Sequence, residues 1–207
     1  MRQIALPLHW PDASGSFLVT PSNAQAAHLL DHWGTWPVMT ALLTGPRRSG
    51  RSLLARLFAA KSGGSVVDGA EGMAEAELFH AWNRAQAERR PLLIVADAAP
   101  PAWNVALPDL RSRLAASPHA AIGAPDDALA RALLDALFLS RGLDARPALV
   151  DWLAARVERS HAAIEAAVDR LALAVTERQC RLSIAFARAT LIEAGLLPQA
   201  DLPEAPR

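Results

Sequence analysis

Apolar and polar positions change rhythm several times along this chain. Residues 1–16 keep no sustained period and contain Pro7, Pro11 and Gly15, which reads as an extended arm. Helical spacing then sets in, with Ala26, Leu29, Leu30 and Trp33 on one side. Ser22-Asn23-Ala24-Gln25 ahead of them has the form of a capping box, and Gly34 and Pro37 stop the helix. Val38 to Leu43 is a short, largely apolar run before a Gly-rich turn, the pattern of a buried parallel strand. From Arg51 the helical period returns through Leu54, Leu57 and Phe58 and ends at Gly63-Gly64. Ser65-Val66-Val67 is a second strand candidate, and Ala74 to Arg90 predicts a helix turning Leu78, Phe79 and Trp82 inward. Pro91-Leu92-Leu93-Ile94-Val95-Ala96 is the strongest strand signal.

Strands and helices thus alternate to about residue 124, which predicts an α/β sandwich around a mostly parallel sheet. Beyond it the strand signals cease. Asp126 or Asp127 caps a helix with Leu129, Leu133, Leu134 and Leu137 on one face, closing at Gly142. Further helices are expected over about 147–158, 160–178 and 183–194, the last capped by Ser183 and ended by Gly195 and Pro198. The expected organisation is an arm (1–16), an α/β domain (17–124), an all-helical domain (125–198) and a tail (199–207).

Composition narrows the function. Hydrophobic residues make up 52% of the 207, enough for a sizeable core. Lys+Arg and Asp+Glu each total 21, so the basic surplus of a dedicated nucleic-acid binder is missing. Cys180 is the single cysteine, which excludes an intramolecular disulfide framework. The start of the chain lacks a signal-peptide pattern and no apolar run is long enough to span a bilayer, so a cytoplasmic protein without membrane contact is expected. The six histidines show no metal-ligand spacing, and the six tryptophans read as core or interface packing. Lys61 is the only lysine, so an arginine at a given position reflects general usage as readily as a functional choice.

The segment of highest information is Gly45-Pro46-Arg47-Arg48-Ser49-Gly50-Arg51-Ser52, followed by Leu53. It has the spacing of a phosphate-binding Walker A loop, between a predicted strand and a predicted helix. Glycines let backbone N–H groups curl around phosphate, and the helix N-terminus adds a favourable dipole. Arg51 stands where the loop lysine belongs; its planar fork does not reproduce a compact ammonium charge.

Around this loop the chain resembles the DnaA/Hda branch of the AAA+ proteins. Phe17-Leu18-Val19 with Pro21-Ser22-Asn23 is similar to the segment before the nucleotide site in that branch. Leu92 to Asp97, Pro100-Pro101 and Leu107 to Leu114 resemble the sensor 1 strand and the arginine-finger segment, and the helices beyond 126 resemble the lid. The likeness runs from Gln3 to Leu197 without a helix-turn-helix region after the lid, which favours Hda-type regulators over initiators and implies no sequence-specific DNA reading.

The resemblance implies an AAA+ fold, a parallel sheet flanked by helices with a helical lid, and a set of roles. Gln3, Ile4, Leu6, Pro7 and Leu8 are similar to the motif that binds the DNA polymerase III sliding clamp (beta subunit). An extended arm can lay Leu6 and Leu8 in an apolar groove while Gln3 hydrogen-bonds, and Pro7 lowers the entropy lost on docking. Arg113 is implied as an arginine finger acting in trans on ATP held by DnaA, with Arg111 as a neighbouring assistant. The implied cofactor is ADP or ATP, bound weakly or not at all. Mg²⁺ accompanies only the nucleotide, through Ser52 and Asp68.

The pattern departs in three places: Arg51 itself, an incomplete acidic pair for which Asp68 and Asp97 are rivals, and a sensor 2-like helix with Ala162 and Ala163 where arginine is expected. Only a short stretch separates Arg51 from Asp68, as though a strand–helix unit were lost. The expectation is a regulator of replication initiation without independent ATPase activity. A stand-alone P-loop ATPase using Arg51, Ser52 and Asp68 or Asp97 is the alternative, as is a nucleotide-free scaffold; self-association stays open.

Overall fold

The structure, a computed structural model, describes residues 17–198. The clamp-like residues Gln3, Ile4, Leu6, Pro7 and Leu8 and the tail 199–207 lie outside them. The chain divides into two compact units between Gly123 and Ala124.

The first unit is built on four parallel strands, β1 (Thr40–Thr44), β2 (Ser65–Asp68), β3 (Leu92–Ala96) and β4 (His119–Ala121), in the order β2-β3-β1-β4. The period-2 geometry of strands sends alternate side chains to opposite faces. Ala41 and Leu43 of β1 with Leu93 and Val95 of β3 pack on one face under α1 (Ala24–Asp31) and α2 (Arg51–Ser62), together with Leu30, Leu54 and Phe58. Leu42, Leu92 and Ile94 face the other way, under α3 (Glu75–Glu88) and α4 (Pro108–Ala116), with Leu78, Trp82, Leu110 and Leu114. Burial on both faces explains why β1 and β3 read as apolar runs.

Registers of Thr40 with Leu92 and Thr44 with Ala96 align the C-terminal ends of β1 and β3. Gly45 and Asp97 therefore leave the sheet side by side, at the edge where open α/β sheets collect ligands.

Several local expectations change. Asn23, not Ser22, stands at the N-cap of α1, and its side chain turns back to accept from Thr20 N–H (2.8 Å) and donate to Leu18 C=O (2.9 Å). The Ser22 hydroxyl lies 2.9 Å from that of Thr20, a polar cluster that displaces the capping box. Trp33 falls in a short 3-10 turn (Trp33–Thr35) rather than on the helix face. β4 has only three residues, two of them exposed, and leaves no periodic trace in the sequence.

The second unit holds α5 (Asp127–Ser140), α6 (Pro147–Ala154), α7 (His161–Arg178) and α8 (Ile184–Glu193), the third being its longest helix. Side chains cap three of them: Asp126 accepts from Leu129 N–H (2.8 Å), Ser160 from Ala163 N–H (3.1 Å) and Ser183 from Phe186 N–H (3.2 Å). Leu134, Phe138, Leu153, Val168, Leu171 and Leu191 form its core. Among the described residues no helix is long and apolar enough to cross a membrane.

Candidate phosphate loop and arginine helix

The loop from Gly45 to Gly50 joins β1 to α2. A Cβ on Gly45 would stand 2.8 Å from the carbonyl oxygen of Ile122, so only glycine lets the loop leave the sheet this close to the residue after β4. Replacing Gly45 by alanine is expected to cost about 1–3 kcal/mol, the range of overpacking in a tight site, read as a lower urea midpoint. Gly50 takes φ +87° as the N-cap of α2 and offers no side chain to the first N–H groups of the helix. The Ser49 residue is 4% exposed, and its Oγ has no hydrogen-bond partner among the described residues.

Uncapped N–H groups and an orphaned hydroxyl beside them suit an anion, so the loop fits a phosphate group. Backbone N–H groups between Arg47 and Ser52, with the Ser49 hydroxyl, would hold it; Pro46 has no N–H to give. Pro46 and Ser52 are exposed, and Leu53 packs partly into the core below.

The loop's cation is engaged elsewhere. The Arg51 guanidinium donates to the Ala96 carbonyl and, at 2.6 Å, to Asp97 Oδ1; its side chain is 12% exposed against 51% for Asp97. Arg47 Nε reaches Asp97 Oδ2 at 3.4 Å from the solvent side. Behind the carboxylate, Glu71 accepts from the backbone N–H of Asp97 and, at 3.3 Å, from that of Ala98. The hydrogen bond from Arg51 is the largest influence holding the Asp97 carboxyl below the usual carboxylate range; burial, next in size, opposes it, and the Arg51 charge and the Arg47 hydrogen bond and charge add smaller lowering effects.

A carboxyl whose pKa is lower folded than unfolded contributes stability at pH above the unfolded value of about 3.9, and loses it as pH falls through the folded value. The stability difference between the wild type and Asp97→Asn is therefore expected to stay level from about pH 7 to pH 5 and to close below about pH 4. Urea midpoints across that range check it; a gap that widens in acid would contradict the pairing.

Asp68 lies elsewhere. It ends β2, exposed, opposite Val95 in register, and β3 separates it from β1. The structure thus brings Asp97, and not Asp68, to Arg51. Among the described residues no three His, Cys, Asp or Glu side chains group so as to hold a metal ion.

Arg111 and Arg113 lie on α4, which opens with Pro108 at its first turn and buries Leu110 and Leu114. Arg111 is exposed. Arg113 is half-buried, its guanidinium carbon 4.6 Å from the ring centre of Phe79 and 4.5 Å from that of Trp82, both on α3. Trp82 Nε1 donates to Ser117 Oγ (3.2 Å), which donates to the Arg113 carbonyl (2.9 Å). At the other end of α4, the Glu75 carboxylate accepts from Ala106 N–H (2.8 Å) and Leu107 N–H (2.6 Å). Phe79 and Trp82 read in the sequence as inward-facing packing residues, and nothing there marks Glu71 or Glu75. Their partners are 26 or more residues away.

A parallel sheet with a glycine loop after β1 and helices on both faces, followed along the chain by an all-helical unit, is a fold of the AAA+ kind. Three solved structures share it. Domain III of the Thermotoga maritima replication initiation protein DnaA superposes with a TM-score of 0.70 at 15% identity, over 86% of this chain and 94% of that one. Replication initiator DnaA bound to AMPPCP and single-stranded DNA gives 0.61 at 14%, over 79% of this chain and 66% of that one. The Thermotoga maritima RuvB Holliday junction branch migration motor gives 0.58 at 14%, over 83% and 68%. The chain therefore spans about two thirds of the longer relatives' length. Identities this low establish the fold alone. No protein-family profile and no curated sequence matches the chain.

Proposed function

We propose that this chain is a regulator of replication initiation: it binds the sliding clamp through Gln3, Ile4, Leu6, Pro7 and Leu8 and lends Arg113 to ATP held by DnaA, accelerating its hydrolysis. The observation that carries this reading is the state of Arg113. A guanidinium lying over aromatic rings uses its π face, and its N–H edges remain the groups that contact an anion. Among the described residues no hydrogen bond or ion pair engages those edges. Hydrolysis occurs on the partner: the γ-phosphoryl group passes to water, and the charge gathering on its oxygens is stabilised by the incoming arginine. Exposed Arg111, two positions away on α4, assists by electrostatic attraction.

The chain's own loop supports a holding role rather than turnover. Arg51 is neutralised by Asp97, so a bound nucleotide competes with an internal carboxylate for the only loop cation that is largely buried. Asp97→Asn is accordingly expected to tighten ADP and ATP binding about tenfold, one interaction of roughly 1.4 kcal/mol, measured by calorimetric titration. Equal affinity in the two proteins would remove the competition.

The test of the whole reading is ATP turnover by DnaA with DNA-loaded clamp, with and without the chain. Stimulation that needs the clamp and disappears with Gln3→Ala combined with Leu6→Ala is the expected result. Stimulation indifferent to both would defeat the clamp assignment, and ATP turnover by the isolated chain would favour an independent enzyme.

A further inference from the structure

We infer that Phe79 and Trp82 are positioning residues for Arg113, forming an aromatic shelf on α3 that fixes the finger's direction; this rests on the reading of Arg113 as the arginine supplied in trans. Positions 79 and 82 are three apart, so their rings stand on one face of α3. Both ring centres lie within 4.6 Å of the Arg113 guanidinium carbon. An exposed arginine samples many rotamers, and a finger must present one of them at the moment of reaction. Stacking restricts the side chain without occupying its N–H groups, which a salt bridge to a carboxylate would do.

The shelf is itself fixed. Trp82 is almost fully buried, and its indole N–H reaches Ser117, whose hydroxyl returns to the Arg113 carbonyl. The ring under the guanidinium is thereby tied to the backbone of the residue it supports. Glu75, on the first turn of the same helix, holds the backbone leading into α4 through two N–H groups. One helix therefore sets the start of α4, its end and the arginine near that end. Core packing alone calls for apolar volume at position 79, whereas a shelf requires a π face.

The experiment compares Phe79→Leu, Phe79→Tyr and Arg113→Ala in clamp-dependent stimulation of ATP turnover by DnaA. It also follows the Arg113 Nε–Hε NMR resonance, assigned by its loss in Arg113→Lys. In the wild type that resonance is expected to be displaced by ring currents. Phe79→Leu is expected to move it toward the position of a solvated arginine and to lower the rate at saturating chain about tenfold. The half-saturating concentration should stay within about twofold, and Phe79→Tyr should keep both the rate and the resonance. A merely structural role would leave the resonance and the saturated rate unmoved in the folded leucine variant. Phe79→Leu matching the wild type while Arg113→Ala is inactive would overturn the shelf alone. Full stimulation by Arg113→Ala would overturn the finger reading and the shelf with it. An undisplaced Arg113 resonance in the wild type would reject the stacking directly, whatever the fate of the variants.

Discussion

Replacing Arg113 by alanine is expected to lower stimulated ATP turnover on DnaA by at least about a hundredfold, since a guanidinium supplied in trans contributes about 10³–10⁵ in rate where it has been removed from comparable sites. The effect should fall on the maximal rate, because the charge it meets develops only as the phosphoryl group leaves. Arg113→Lys keeps a positive charge but loses the planar fork and stacks poorly, so it should recover less than about a tenth of the rate. Arg111→Ala should cost far less. The substitution at 113 also removes two ring contacts, about 1 kcal/mol of stability, which a urea titration separates from the kinetic loss. A maximal rate within a few-fold of wild type in Arg113→Ala would end the assignment.

The second large effect is on stability. Phe58 is 0% exposed and stacks on Trp36 at 5.5 Å between ring centres, inside the cluster that joins α2 to the sheet. Cutting it to alanine removes the ring and leaves a cavity that close-packed neighbours only partly fill. The expected loss is about 3–5 kcal/mol, a third or more of a typical domain's stability. Leu139→Ala, at a side chain 79% exposed on α5, should change stability by less than about 0.5 kcal/mol. Urea midpoints for the two variants test this contrast. A small loss at Phe58 would mean that the face of α2 beneath the phosphate loop is loosely packed.

The fold was legible where burial leaves a local mark. Leu92 to Ala96 is buried on both faces and reads as a strand without help, and Leu54, Leu57 and Phe58 repeat at the helical interval. Ser183 announces α8, because a cap acts on N–H groups two or three residues away. Ser22 misled because Thr20 and Asn23 compete for the same turn, and local polar bonds of similar strength leave the outcome to tertiary context.

The candidate site was legible as a loop and an arginine segment, but not as a network. Arg51 and Asp97 are 46 residues apart and meet only because β1 and β3 are neighbours in register. The same holds for Phe79 and Trp82. A stripe of apolar residues on a helix gives no sign that a cation will rest on it until α4 is laid alongside.

The grip of Arg51 on residues 96 and 97 has a thermodynamic corollary. Phosphate arriving in the loop and the present setting of the chain just after β3 draw on one guanidinium, so each weakens the other by the same factor. Glu71 holds the adjoining backbone, its carboxylate accepting from the N–H groups of Asp97 and Ala98. A change there should therefore be felt as an altered affinity for anions at the loop, although Glu71 contributes no atom to it.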